Sequence, residues 1–381
     1  MHPPLKINFF VQFVHEQGTY FRFHNLARAL RAAGEDVTVY GCDNNWRSKA
    51  RIETRDEVPY VITNSVPGSR FIFPANNPIN EIRRGFSHYP ACDIAHLFQP
   101  FLSGRLAWRR TKARRHFFDW DDLWGGGLFS ESARSLRGRH NQWITEGLEH
   151  SLPAKADHTT TCSGFLARLA QERGARETTV IPNGYWPALL MDRAEARARL
   201  GLRADALYVG FMGRTCNELT WCVEALAKNM EHHSSLRFAV CGAPTDAFAH
   251  VPEPIRSRID HLGQLPSQMI PQFAAALDLG LLPLEKTPFN ESRFPVKLAE
   301  YLGAGAPVLC SQVGEIALLT QGLQGVISAG STKKAWLEAF SQTIKVAGDG
   351  RLTSPETGAV ETIFGWGGIG KRLIDVYRAS L

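Results

Sequence analysis

Two stretches of this 381-residue chain carry side chains whose types and spacing suit chemistry. The first is Phe117-Phe-Asp-Trp-Asp-Asp-Leu-Trp-Gly-Gly-Gly127, where a short apolar run leads into Asp119, Asp121 and Asp122 and then into glycines. Carboxylates this close push one another's pKa apart, which suits hydroxyl recognition or proton acceptance. The bland alternative is one aspartate capping the next helix beside two solvated ones. The second stretch is 290–308, Asn-Glu-Ser-Arg-Phe-Pro-Val-Lys-Leu-Ala-Glu-Tyr-Leu-Gly-Ala-Gly-Ala-Pro-Val. Pro295 can open a helix there, because its missing N–H costs nothing in the first turn. Arg293, Lys297 and Glu300, spaced i, i+4, i+7, are then expected on one face, with Leu298 and Leu302 on the opposite, apolar one. The free N–H groups of a helix start favour anions, so two cations there and a carboxylate one turn later suit a nucleotide diphosphate and its ribose. The competing reading is an exposed face with an ordinary Lys–Glu pair.

These residues need elements to hold them, and the chain alternates short apolar strands with amphipathic helices, an α/β rhythm with a mostly parallel sheet. Strands are predicted near Ile7–Val14, Val37–Tyr40, Asp93–Phe98, Arg115–Phe118, His158–Cys162 and Thr179–Ile181. Turn chemistry at Pro182-Asn-Gly-Tyr-Trp-Pro187 interrupts the series. It restarts after a charged helix (Asp192–Leu200) with strands at Leu207–Met212, Leu236–Cys241, Leu279–Leu284 and Val308–Cys310. The expected organisation is an N-terminal acceptor-binding Rossmann-like domain over 1–185, a C-terminal donor-binding one over 186–362, and a C-terminal helix, 363–381, packing back on the first. Two such domains facing across a cleft would bind ligands at the carboxyl ends of both sheets. The loop His15-Glu-Gln-Gly-Thr19 follows the first strand; Gly18 permits close backbone approach, and His15 and Glu16 are candidate acceptor contacts, against ordinary surface residues.

Composition bounds the function. The net charge of +6 suits anionic partners: nucleotide phosphates, an anionic membrane surface or nucleic acid. Nucleic acid is set aside, because no helix-turn-helix, zinc-finger or RNP-type motif is present. The seven cysteines (Cys42, Cys92, Cys162, Cys216, Cys222, Cys241, Cys310) are scattered without a C-x-x-C pair, which suits reduced thiols in a cytoplasm. Asn8, Gln12 and His15 break the apolar start, so it reads as a buried strand rather than a signal peptide. No run approaches a membrane-spanning length. The basic stretch Arg105–Arg115 has two readings: an ordinary exposed helix face, or a surface resting on the inner face of an anionic membrane where a lipid-linked acceptor waits. No G-x-G-x-x-G follows the first strand, which argues against a dinucleotide cofactor. No cofactor and no metal are expected, the nucleotide sugar being a substrate.

The run P-V-K-L-A-E-Y-L-G-A-G-A-P-V resembles the donor-site helix of retaining GT-B glycosyltransferases of family 4. Three further segments agree in order: Ala156–Ser163 with Val180-Ile-Pro-Asn-Gly184, Val209-Gly-Phe-Met-Gly-Arg214, and His261-Leu-Gly-Gln-Leu265. The resemblance implies a GT-B architecture in which Arg214, directly after Gly213, and Lys297 hold the pyrophosphate. Glu300 would take the ribose, and backbone groups of Gln264 and Leu265 the base. It also implies departures. A lysine usual in the family is replaced by Leu219. A glutamate usual eight residues before Glu300 is replaced by Ser292, with Glu291 beside it. Where relatives often have a histidine that touches the donor sugar, this chain has Asp121.

The expected function is retaining transfer of a sugar from a nucleotide-diphosphate donor, UDP- or GDP-linked, to a hydroxyl of a glycan, lipid-linked glycan or small metabolite. Alternatives are a sugar-nucleotide epimerase of the same fold and a non-catalytic, sugar-nucleotide-binding partner subunit. A further rival reads Asp119-Trp-Asp121 as the metal-binding D-x-D of the other large transferase architecture.

Overall fold

The computed structural model describes residues 3–16, 18–43, 47–66, 74–129, 135–188, 190–213, 218–244 and 246–381. The chain forms two compact units. Unit 1 holds Met1–Asn183, Glu291–Phe294 and Trp366–Leu381; unit 2 holds Gly184–Asn290 and Pro295–Gly365.

Among the described residues, unit 1 is built on an eight-stranded sheet in the order β3-β4-β2-β1-β5-β6-β7-β8. Its strands are β1 Lys6–Phe13, β2 Asp36–Asp43, β3 Arg51–Arg55, β4 Val58–Asn64, β5 Cys92–Phe98, β6 Ala113–Trp120, β7 His158–Thr161 and β8 Thr178–Val180. All neighbours pair in parallel except β3 with β4. After Lys6, every residue of β1 is buried, the near-continuous apolar run of a strand covered on both faces. The order reverses between β1 and β5, which places a topological switch point at their carboxyl ends. The β3–β4 hairpin was not anticipated. Arg51-Ile-Glu-Thr-Arg55 is polar at four of its five positions, and it is tied by Arg51 to Asp43 and Glu53 and by Arg55 to Glu53 rather than by a core.

Helix α1, Tyr20–Ala32, connects β1 to β2. The C-terminal helix, Trp366–Ser380, packs on α1 so closely that a Cβ on Gly370 would lie 2.7 Å from that of Ala29. Tyr377 on that helix is fully buried, with its hydroxyl 2.6 Å from Nδ1 of His96 in β5. The helix starts earlier than the polar residues from Lys371 onward suggest, because Trp366 and Ile369 anchor its first turn in the core.

Among the described residues, unit 2 carries a six-stranded, all-parallel sheet in the order β11-β10-β9-β12-β13-β14. The strands are β9 Leu207–Met212, β10 Leu236–Cys241, β11 Ile259–His261, β12 Leu279–Leu282, β13 Val308–Ser311 and β14 Val326–Ala329. Numbered from β9, this is the 3-2-1-4-5-6 order of a dinucleotide-type α/β domain. The three-residue β11 and the half-exposed β14 are too short and mixed to stand out in the sequence. Helix 193–200 is capped by Asp192, whose Oδ1 accepts the N–H of Ala194 at 2.9 Å.

Candidate functional site

In unit 2 the candidate donor residues gather at the carboxyl end of β9. The helix Val296–Gly303 is bolted there by Tyr301. Its hydroxyl accepts the N–H of Met212 at 3.0 Å and lies 3.2 Å from the Gly210 carbonyl, and its ring packs where Gly280 leaves room. That bolt sets Lys297 over the strand end: Nζ lies 4.5 Å from the centroid of the Phe211 ring. It also brings Lys297 against Gly213, where a Cβ would collide with Nζ and stand 2.6 Å from Cε. Gly213 has φ +128, so it leaves the strand in a conformation that a side chain would strain. Its N–H donates to the Cys241 carbonyl at 2.9 Å, and the N–H of Gly242 to the Gly263 carbonyl at 2.7 Å. The ends of three neighbouring strands are thus stitched together.

Glu300, one turn after Lys297, is half-buried; removal from water pushes its carboxyl up to about 7, with Lys297 pulling the other way. Burial and the Glu300 charge push the nearby Cys241 thiol up to about 12, against Lys297. Gln264 is exposed and Leu265 half-buried in the loop after β11. Arg214 lies outside the described residues.

The expectation for Arg293 is corrected. It does not share a face with Lys297 and Glu300, because the helix begins only at Val296, with Pro295 at its cap. A proline biases the residue before it away from helix, and this breaks the run. Residues 291–294 cluster with unit 1 instead of with the second α/β unit. Ser292 is fully buried there: its carbonyl accepts from Ser163 Oγ at 2.5 Å, and its Oγ accepts from the Leu123 N–H at 3.3 Å. The Ser292 side chain is therefore part of the packing of unit 1. Glu291 and Arg293 are half-buried. Leu219, where the lysine was expected, is buried in the core of unit 2 beside Trp221 and Phe211. Glu218, just before it, accepts from the Asn290 amide at 3.0 Å.

In unit 1 the neighbouring aspartates Asp119 and Asp121 have different partners. Asp119 is fully buried and bound through both oxygens by Arg22, at 2.7 and 2.8 Å, while Thr160 Oγ1 donates to it at 2.6 Å. Arg22 also donates to Asn183 Oδ1 at 3.0 Å. Asp119 is thus the counter-charge of Arg22: a carboxylate at the end of a buried strand needs such a partner, and α1 supplies it. Asp119 is also the first carboxylate of the D-x-D sequence, and both of its oxygens are held by Arg22. Among the described residues, no group of three His, Cys, Asp or Glu side chains is arranged to hold a metal ion.

Asp121 is buried, and Gln99 Nε2 donates to its Oδ1 at 2.5 Å. Desolvation raises its pKa, helped by the charges of Asp122 and Asp119 and opposed by Arg22 and the Gln99 hydrogen bond. Asp122 is raised by desolvation, with Arg293 and Arg22 opposing. The Arg293 charge is therefore felt at Asp122.

Gln99 was missed by the sequence reading. It sits just past β5 at the switch point with φ +76, nearly fully buried, and its Oε1 has no hydrogen-bond partner. Glu149 was missed as well. Fully buried on helix 136–155, it accepts the N–H groups of Trp124 at 2.7 Å and Gly125 at 3.2 Å, and burial pushes it up to about 7. It holds the glycine turn 124–128 in place, and Gly125 has no room for a Cβ against Glu146. In the first loop His15 is half-buried, 5.7 Å from the Phe13 ring; Glu16 is exposed; Gly18 has φ +58 and open space around it.

Residues 18–187 match the model described as Glycosyltransferase Family 4, and residues 204–345 that of Glycosyl transferases group 1. A putative teichuronic acid biosynthesis glycosyltransferase, TuaH of Bacillus subtilis, is 23% identical over 215 residues, covering 55% of this chain and 52% of that protein. A D-inositol 3-phosphate glycosyltransferase of Thermobispora bispora is 28% identical over 246 residues, 59% of this chain and 55% of that protein. The matches thus span about half the length of these curated relatives. Among solved structures, a sucrose-phosphate synthase from Thermosynechococcus elongatus superposes with a TM-score of 0.74 at 18% identity, covering 98% of both chains. Anabaena Alr3699/HepE in complex with UDP and glucose gives 0.66 at 16%, covering 98% of this chain and 100% of that one. The fold is of the GT-B type.

Proposed function

This chain belongs to the group 1 glycosyltransferases of family 4, and from that premise we propose that it moves a sugar from a nucleotide-diphosphate donor, UDP- or GDP-linked, to a hydroxyl acceptor with retention at the anomeric carbon. The observation that carries this reading is the placement of Lys297 against the Gly213 turn at the carboxyl end of β9, with Glu300 one turn further on. Lys297 would meet the diphosphate and Glu300 the ribose, with unit 2 as the donor side and unit 1 as the acceptor side. UDP in the similar Anabaena protein supports a uridine donor.

In the reaction, the bond from the sugar's anomeric carbon to the diphosphate oxygen breaks, and the bond to the acceptor oxygen forms on the same face. The acceptor proton passes to the departing diphosphate. Positive charge at the helix start stabilises that leaving group and should be the largest catalytic term. Asp121, whose raised pKa leaves it able to hold or accept a proton near neutrality, would bind a sugar hydroxyl. No cofactor enters the scheme.

The test is a thermal-shift screen of UDP, GDP and ADP and their sugar conjugates, followed by transfer assays. A donor bound at a hundred times its Kd adds about 2.7 kcal/mol of stability. No shift with any nucleotide would sink the proposal. The buried Ser292 and Leu219 favour one second reading, a sugar-nucleotide-binding subunit without catalysis. It predicts a shift without transfer or hydrolysis.

A further inference from the structure

The helix Pro78–Gly85 is inside out. Its polar residues Asn80, Glu81 and Arg84 face the protein, and each is satisfied there. Asn80 Oδ1 accepts the Val66 N–H at 2.8 Å. The Glu81 carboxylate accepts the N–H groups of Gly104 at 2.8 Å and Leu106 at 2.6 Å. Arg84 donates to the Tyr40 carbonyl at 2.9 Å and to Ser103 Oγ at 3.2 Å. The apolar residues face out: Ile79 is 55% exposed, Ile82 54%, and Phe86, just past the helix, 69%. Spaced i, i+3, i+7, these three share one face. Folding uses the polar side of this helix, so the hydrophobic effect leaves its apolar side without a role inside the chain.

The surroundings of that face are cationic. Arg83 is exposed on the helix itself. Helix Arg105–Arg110 packs alongside, and its Arg110 guanidinium lies 4.8 Å from the Phe86 ring centroid. Arg109 and Lys112 are exposed beyond it; Arg114 is shared with Asp93 at 3.4 Å, and Arg115 donates to the Ser380 carbonyl at 2.5 Å.

We propose that this face docks on an anionic lipid bilayer, with Ile79, Ile82 and Phe86 entering the acyl boundary and Arg83, Arg109 and Arg110 meeting lipid phosphates. Charge complementarity selects this occupant: a cationic rim around an apolar centre fits an anionic interface. A second copy of the chain, docked through the same face, would set like charges against each other. The inference is independent of the transfer reaction, since it concerns binding of the unliganded chain.

The test is flotation of the full chain with vesicles of phosphatidylcholine alone and with one third phosphatidylglycerol. Binding is expected to the anionic vesicles and to weaken with salt. An Ile79→Ser, Ile82→Ser, Phe86→Ser variant is expected to lose roughly tenfold or more in affinity with its melting temperature kept, since the changed side chains are exposed. Arg109→Glu with Arg110→Glu is expected to do the same. Failure to bind anionic vesicles overturns the proposal. So does binding that the apolar triple variant retains in full, which would mean adsorption by charge alone. So does a chain that is dimeric in solution and becomes monomeric in the triple variant, which would assign the face to a second copy.

Discussion

Gln99 donates its side-chain amide to Asp121 at 2.5 Å from a backbone held at φ +76. A residue other than glycine in that conformation costs of order 1 kcal/mol or more, so the surrounding structure must hold it there. The donated hydrogen bond favours the charged form of Asp121, against burial and neighbouring carboxylates that disfavour it. Gln99→Leu removes the donor and is expected to raise the Asp121 pKa further. The acid limb of the kcat/KM profile then moves to higher pH. Gln99→Gly also removes the donor but relieves the backbone, so it shifts the profile equally while losing less stability. A profile unchanged in both variants separates Gln99 from the site.

Lys297 is expected to bind diphosphate through a full charge. Lys297→Ala should lower kcat/KM by roughly a hundredfold or more, the scale of losing one electrostatic contact to a leaving group. The melting temperature of the unliganded protein should change little. Isothermal titration with the preferred nucleoside diphosphate checks the binding part.

Gly213→Ala places a Cβ at φ +128 and into Lys297. It is expected to destabilise by roughly 1–3 kcal/mol in denaturant unfolding and to weaken nucleotide binding together. Gly18→Ala meets open space at φ +58 and is expected to cost less.

The Arg22–Asp119 pair is buried on both sides, with side chains 2% and 0% exposed. Asp119→Leu alone leaves a buried guanidinium uncompensated and is expected to cost about 3–5 kcal/mol. Arg22→Met with Asp119→Leu removes both charges and is expected to recover much of that loss. Denaturant titration of the two singles and the double closes the cycle.

Glu149 titrates at about 7 when folded, above its ordinary value of 4.5. The folded state therefore holds the proton more tightly. The stability this contributes is full below about pH 4.5 and is lost as pH rises through 7. Glu149→Gln keeps an acceptor for the Trp124 and Gly125 N–H groups but cannot ionise. Relative to wild type, it is expected to gain stability between pH 5 and pH 8, by up to roughly 3 kcal/mol. A wild-type-minus-variant difference that stays flat with pH contradicts this.

Much of the architecture was legible in the chain because parallel strands buried on both faces are continuous apolar runs, as in Lys6–Phe13 and Leu207–Met212. The helix Val296–Gly303 and the glycine ends of β9 and β10 were legible for the same local reason: proline, glycine and charge at set spacings. Local spacing also carried the reading of Lys297 and Glu300 on one helix face. It failed for Arg293, because whether a helix continues through Pro295 is decided by backbone sterics, and which unit then receives the segment is decided by packing. It could not separate Asp119 from Asp121, since the partners that make them different, Arg22 and Gln99, lie far away in sequence. Nor could it tell that the amphipathic helix 78–85 turns its apolar side outward, because a pattern shows that two faces differ and not which one meets the protein. The tertiary structure decided these matters, for burial, counter-charge and hydrogen-bond satisfaction depend on contacts between residues that only the folded chain brings together.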